Sequence, residues 1–508
     1  MPSVFYPNQE SPYIENPRVN KNTFIGRSAE KSPVPTYEEA KSKLPSPIWE
    51  NHDDAIKCYN KAWEIAFKNL RTANPYSGFV SNFIDTAFDG ALYMWDSSFI
   101  VMFGRYGCRA FDFQKTLDNF YARQHRDGFI CRTLYEKVYG EPYSRFSVAS
   151  TGPEILEWSE WEYYKTTGDK KRLSEVFDPL LAYHEWMKEN HTWRDGTYFS
   201  CGWGCGMDNQ RRLMPEDCKD INKIYFSHGH MVWADACFQE ILALRILKNM
   251  ATELGRTEEI PDIESELGKL LKTVNEKLWD ENDSYYYDLW KTGELSHVKT
   301  IGAFWALLAN AVPKDKLDRF VAHLDNENEF KRAHRVPTLS ADDKLYDPRG
   351  WYWRGSVWAP TNYMVLQGLS SCGYYDMAHE IAVNHLGNVV KAFNTTGTLW
   401  ENYMPEKEGA QGNIAKDDFV GWTGLVPICV MFEYVFGIKS IAKENKIFWN
   451  VKLTDKHGIM QYPLGSGNVD LLCDKRENGE KPNVTIKADF PVTAEITWEK
   501  GTFTVTNK

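Results

Sequence analysis

The chain has 508 residues, 43% apolar and 25% charged, an ordinary globular composition that excludes a wholly disordered, collagen-like or coiled-coil protein. With 59 Lys and Arg against 70 Asp and Glu the net charge is −11, and no dense basic run occurs, so a nucleic acid is an unfavourable partner. The outlying figure is aromatic: 19 Trp, 27 Tyr and 27 Phe make 14% of the chain, more indole than packing alone explains.

Residues 1–48, rich in Pro and Ser with little periodicity, read as an extended N-terminal arm. Their polar start lacks the charged and apolar regions of a secretory signal. From 49 to 445 the pattern is helical. Helices are predicted near 52–71, 95–106, 110–123, 153–167, 172–190, 231–254, 262–278, 299–311, 315–324, 356–370, 374–393 and 421–435. Five long connections, 76–94, 125–150, 193–228, 334–355 and 394–420, are rich in Gly, Trp and Asp. Loops of that length in a compact domain are usually functional, and five of them suggest one face of a helical ring built into a site. Residues 446–508 alternate as strands and predict a small C-terminal β-domain. No apolar stretch approaches the ~20 residues of a membrane span. The ten Cys are scattered without a CxxC, which predicts reduced thiols and a cytoplasmic setting, or a secreted one if a signal has been removed.

Phosphate-binding and dinucleotide glycine loops, HExxH, GxSxG and EF-hand loops are all missing, so no cofactor is expected. Chemistry concentrates in four clusters. Asp89 to Asp96 ends in Trp95-Asp96 at a helix start: an N-cap acid beside a core indole, or a carboxylate and platform for a sugar. Cys201 to Asn209 holds three glycines around Trp203 and then Asp208, an Asx turn or an acid raised in pKa by an apolar, Trp-lined pocket so that it protonates a leaving oxygen. Pro348 to Tyr363 mixes Trp351, Tyr352, Trp353, Arg354 and Trp358, a poor core strand and a plausible binding wall on which Arg354 fixes a carboxylate or hydroxyl edge. Gly397 to Glu406 carries Trp400 and Glu401. Paired with Asp208, Glu401 becomes the second carboxylate of a glycosidase, with Asp417 and Asp418 as more solvent-facing rivals. Trp422 supplies a further platform or plain packing. His228-Gly229-His230 has i, i+2 spacing with no third ligand nearby, so no catalytic metal is expected.

Taken in order, Tyr93–Phe99, Gly206–Asn209, Tyr352–Tyr363, Trp400–Tyr403 and Gly421–Thr423 resemble the inverting α-glycosidases of the trehalase and glycoside hydrolase family 63 clan, in particular bacterial mannosylglycerate and glucosylglycerate hydrolases. The resemblance implies a mainly α fold, an (α/α)6 toroid, with Asp208 as general acid and Glu401 as general base. It places Trp95 and Asp96 at the terminal sugar, Gln124 facing it, and Trp353, Arg354 and Trp358 along the site. The β-domain and the Cys205-containing loop depart from those hydrolases. The expected function is an inverting, exo-acting α-glycosidase whose partner is a small carbohydrate. Two alternatives stand beside it: a sugar epimerase or isomerase using a pair among His125, His228, His230 and His334, and a non-catalytic carbohydrate-binding protein.

Overall fold

The computed structural model describes residues 15–74, 76–86, 90–137 and 140–507; Asp89 of the first cluster lies outside them. The chain is mainly helical, with a C-terminal β region. Besides the short helices Tyr37–Ala40 and Ile221–Phe226, the described residues form the helical elements α1 (Asp53–Lys68), α2 (Met94–Gly104), α3 (the 3-10 turn Phe113–Leu117 continued by Asp118–Ala122), α4 (Leu156–Thr167), α5 (Lys170–Asn190), α6 (Ala234–Leu254), α7 (Ile260–Lys277), α8 (Trp305–Leu308), α9 (Lys314–Val321), α10 (Ala359–Ser371), α11 (Tyr375–Thr396) and α12 (Val426–Val435).

Composition sorts these helices into two layers. Every residue of α2 and of α12 is buried, the polar Asp96, Ser97, Ser98 and Glu433 included. By contrast α7 buries only Ile263, Leu267, Leu270 and Val274, a single stripe at 3–4 spacing. The even-numbered helices touch in sequence: α2 meets α4, α4 meets α6, α6 meets α8, α8 meets α10, α10 meets α12, and α12 returns to α2. Among the odd-numbered ones, α1, α3, α5, α7 and α11 lie against them from outside. The elements at 110–123, 299–311 and 421–435 are less regular than their periodicity suggests: α3 and α8 begin as 3-10 turns, and α12 is wound as a π-helix.

The β region is wider than residues 446–508. One four-stranded antiparallel sheet runs Ser46–Trp49, His457–Leu464, Gly467–Cys473, Val484–Lys487. Its edge strand comes from the predicted arm, with Ser46 opposite Met460 and Trp49 opposite His457. The second sheet runs Gly501–Thr506, Thr493–Trp498, Lys446–Asn450, Ile438–Ile441, with a parallel pairing between Thr493–Trp498 and Lys446–Asn450. The described part of the arm is also tied down. Arg18 donates to Glu185 at 2.8 Å and to Glu259 at 2.7 Å, and Thr36 and Glu39 close a capping box on Tyr37–Ala40. An arm without periodicity is therefore held by long-range pairing that local pattern does not reveal.

Candidate active site

A cavity of about 290 Å3 opens where the long connections converge. Its first wall is a two-stranded antiparallel sheet, Ala91–Tyr93 against Thr133–Tyr135. The amide of Met94 donates to the Arg132 carbonyl at 2.7 Å, which fixes the chain as it turns into α2 and sets Trp95 and Asp96 on the wall with Arg132. The 193–228 connection adds Trp203 and Asp208, the 334–355 connection adds Tyr352 and Trp353, and Trp422 enters just before α12.

Gly206 explains how the acid loop fits. It adopts φ +76°, and a Cβ there would lie 2.9 Å from the Trp95 ring, so only glycine lets the loop lie on that indole. Asn209 then clamps the loop to the opposite wall. Its Oδ1 accepts from the Trp353 amide at 2.8 Å and its Nδ2 donates to the Trp351 carbonyl at 3.2 Å. Beyond it, the buried Arg212 guanidinium spans Asp235 and Asp288 with four bonds of 2.6–2.8 Å, anchoring the loop to the start of α6.

Glu401 stands behind Tyr352 rather than on the open wall and is 4% exposed. α11 ends at Gly397, which takes φ +75° and releases the chain into the loop that carries it. The Tyr352 hydroxyl donates to Glu401 Oε1 at 3.3 Å, the Lys416 amide to Oε2 at 3.2 Å, and Trp422 Nε1 to the Glu401 carbonyl at 2.9 Å. Burial pushes the Glu401 carboxyl up to about 7, against the pull of those two donors. Burial likewise pushes Asp208 up to about 6, while the Arg132 charge draws it down. Asp96, 7% exposed, is raised well above the usual carboxylate range by burial, with the charges of Glu401 and Asp208 adding to it. Three acids thus feel one another at one indole-lined cavity.

Of the predicted site residues, Trp95, Asp96, Trp203, Asp208, Tyr352, Trp353 and Trp422 line the cavity, and Glu401 joins through Tyr352. Four expectations are corrected. The Gln124 amide is spent on Asn22, the Gly128 carbonyl and the Pro179 carbonyl, and is buried away from the wall. Trp358 is fully buried and stacks on Trp353 at 3.8 Å, supporting the wall from behind. Arg354 turns outward to the Leu345 carbonyl at 3.2 Å, and Trp400 points its Nε1 at Thr396 at 3.0 Å. Asp417 and Asp418 are exposed, and Asp418 binds Thr398 and Lys68. Two contributors went unnamed in the sequence, Arg132 and Tyr143. Arg132 lies over the Tyr143 and Trp203 rings at 4.5 and 5.2 Å and donates to the Tyr143 hydroxyl at 2.8 Å. Their only signal was membership of the long 125–150 connection.

None of His125, His228, His230 and His334 is on the cavity wall. Among the described residues two trios have metal-ligand spacing, Glu154–His184–Glu240 and Asp280–Asp283–His297, and neither includes His228, His230 or a cavity carboxylate. All ten cysteines are unpaired, and no helix among the described residues is long and apolar enough to cross a membrane.

Residues 91–423, which contain the whole cavity, match the mannosylglycerate hydrolase MGH1-like glycoside hydrolase domain. The chain belongs to this family. It is a glycoside hydrolase of family 63 kinship. An uncharacterised protein of Borreliella burgdorferi is 25% identical over 377 residues, 72% of this chain and 75% of that one. The probable mannosyl-oligosaccharide glucosidase of Schizosaccharomyces pombe is 25% identical over 289 residues; the match takes in 50% of this hydrolase and 34% of the yeast protein. Among solved structures, a family 63 mannosylglycerate hydrolase from Thermus thermophilus in complex with glucose superposes with a TM-score of 0.60 at 21% identity, over 73% of this chain and 99% of that one. This likeness is one of fold.

Proposed function

We propose that this glycoside hydrolase is an inverting, exo-acting α-glycosidase on a small glycoside, built on an (α/α)6 toroid. The closed succession of contacts among the even-numbered helices supports the toroid. A cavity of about 290 Å3 is at the small end of ligand pockets, suited to one terminal sugar and a compact aglycone.

The observation that carries the mechanism is the different setting of the two carboxyls. Glu401 receives a donor on each oxygen, from Tyr352 and Lys416, which favours its ionised form. Burial raises both carboxyls, so the pair holds one proton near neutral pH, and Asp208, on the cavity wall, is the member placed to pass that proton to a bound substrate. Glu401 therefore takes a proton from water as that water attacks the anomeric carbon, and Asp208 delivers its proton to the departing oxygen. The bond from the anomeric carbon to the aglycone oxygen breaks, a bond to water oxygen forms, and the configuration inverts. Trp95, Trp203 and Trp353 offer faces to the C–H surfaces of the sugar, and Asp96 and Arg132 meet its hydroxyls.

The named relatives point to α-mannosyl and α-glucosyl substrates, including the mannosylglycerate of the Thermus enzyme. A panel of α-mannosides and α-glucosides, glycerate conjugates among them, tests the reading. Hydrolysis of at least one, lost in both Asp208→Asn and Glu401→Gln, supports it. Binding without turnover on every member would leave a carbohydrate-binding protein, and interconversion of free sugars an isomerase.

A further inference from the structure

A second cluster of chemistry-bearing residues lies beneath the active-site floor, and the mechanism does not use it. Glu154 precedes α4, His184 is on α5, and Glu240 is on α6; all three are buried. One ligand atom from each lies within 4.8 Å of the others. His184 Nδ1 is 3.2 Å from Glu154 Oε1 and 3.2 Å from Glu240 Oε2. Ligands held at about 2.0–2.1 Å around a tetrahedral ion stand roughly 3.3–3.4 Å apart, so these spacings match the first sphere of a small divalent cation. The other ring nitrogen, Nε2, is 3.4 Å from Glu266 Oε1, and Lys188 holds Glu266 at 2.7 Å. A carboxylate behind a histidine is how proteins fix the tautomer of a metal-binding imidazole.

A separate observation also points to a missing ligand. Gln239, 2% exposed, leaves its Nε2 without a hydrogen-bond partner, and both carboxyl oxygens of the fully buried Glu157 are unpaired as well. Gln239 shares with Glu154 and Glu240 the wall of a small space of about 10 Å3, close to what one water requires. Two carboxylates and one imidazole are a donor set that a small divalent cation takes.

We propose that Glu154, His184 and Glu240 form a structural site for a transition-series divalent cation, Zn2+ or Mn2+, with one water beside Gln239 as a further ligand. The imidazole and the small number of protein donors disfavour Ca2+, which takes six to eight oxygens. Such an ion ties α4, α5 and α6 together under Gly152 and Pro153, which line both this space and the active-site cavity. The site positions the floor and does not touch substrate.

The test uses the full chain, stripped with chelator, then incubated separately with Zn2+, Mn2+ or Ca2+ and freed of excess. The expected result is one Zn2+ or Mn2+ per chain by elemental analysis, a thermal midpoint higher by about 5 °C, and no retained Ca2+. Less than a tenth of an equivalent of either transition metal, with no thermal shift, overturns the proposal. Glu240→Gln and His184→Gln should each lose the ion; retention in both folded variants overturns the assignment to these residues. Should both variants fail to fold, electron-spin-echo spectra of the Mn2+-loaded wild type decide, because they must show one imidazole nitrogen, and its absence overturns the site.

Discussion

Tyr352 holds Glu401 by a 3.3 Å hydrogen bond from its phenol to Oε1, and it does so from a left-handed backbone at φ +58°. A non-glycine residue in that region carries strain of about 1 kcal/mol or more, which the surrounding bonds must offset. The Asn209 bridges to both neighbours, Trp351 and Trp353, are such bonds. The turn therefore aims a donor at the proposed base.

Tyr352→Phe removes that donor and leaves the ring. The hydrogen bond lowers the Glu401 pKa, so its loss leaves the shared proton on Glu401 more of the time and moves the alkaline limb of the pH–rate profile to higher pH. At pH 6 the turnover number should fall roughly tenfold, within the usual contribution of one positioned proton-transfer partner. An unchanged profile would separate Tyr352 from the base.

The wild-type profile should be bell-shaped and narrow. Asp208 near 6 and Glu401 near 7 titrate as a coupled pair, and the active form holds one proton between them. Activity measured from pH 4 to 9 should fall on both sides of that interval. A plateau extending above pH 8 contradicts the pairing.

Asp208→Asn should abolish turnover and stabilise the fold. The wild-type acid has a folded pKa near 6 against about 4 unfolded, so folding is penalised as pH rises through that window and fully penalised above it. The neutral amide escapes the penalty, roughly 1–3 kcal/mol at pH 7.5. The gain should fall away as pH drops from about 6 and disappear below about pH 3, where the wild-type carboxyl is protonated in both states. Melting curves at the two pH values check the sign.

Gly206→Ala should cost at least about a hundredfold in kcat/KM with the overall fold retained. The added methyl meets both a left-handed φ of +76° and the Trp95 ring at 2.9 Å. The acid loop or the indole must shift, and either moves Asp208 relative to the sugar platform. Circular dichroism and kinetics together test this.

The helices were legible in the sequence where they bury a periodic stripe or a continuous apolar run, as α7 and the Phe99–Phe103 half of α2 show. The pairing of Ser46–Trp49 with His457–Leu464 was not, since nothing local to either strand encodes a partner so distant in the chain. At the site, Asp208 and Glu401 stood out by their glycine and indole neighbours. Arg354, Trp358 and Trp400 share those motifs yet point elsewhere, because motif adjacency fixes position and not side-chain direction. Arg132 was missed for the reverse reason. It has no motif of its own, and its place depends on the long-range strand pairing that sets its carbonyl against Met94.

Arg132→Met should raise KM and shift the acid limb upward, since its cation draws down the Asp208 pKa, the lower of the pair, and its guanidinium binds Tyr143 and the Ala149 carbonyl. A pH profile identical to wild type would remove Arg132 from the electrostatics of the acid.

The most direct measurement follows the first sugar released from an α-linked substrate by proton NMR, before mutarotation. Direct attack of a Glu401-activated water, with Asp208 protonating the leaving oxygen, predicts the β-anomer as the first product. Release of the α-anomer first would mean a covalent glycosyl–enzyme intermediate and would contradict the proposed roles of both carboxyls.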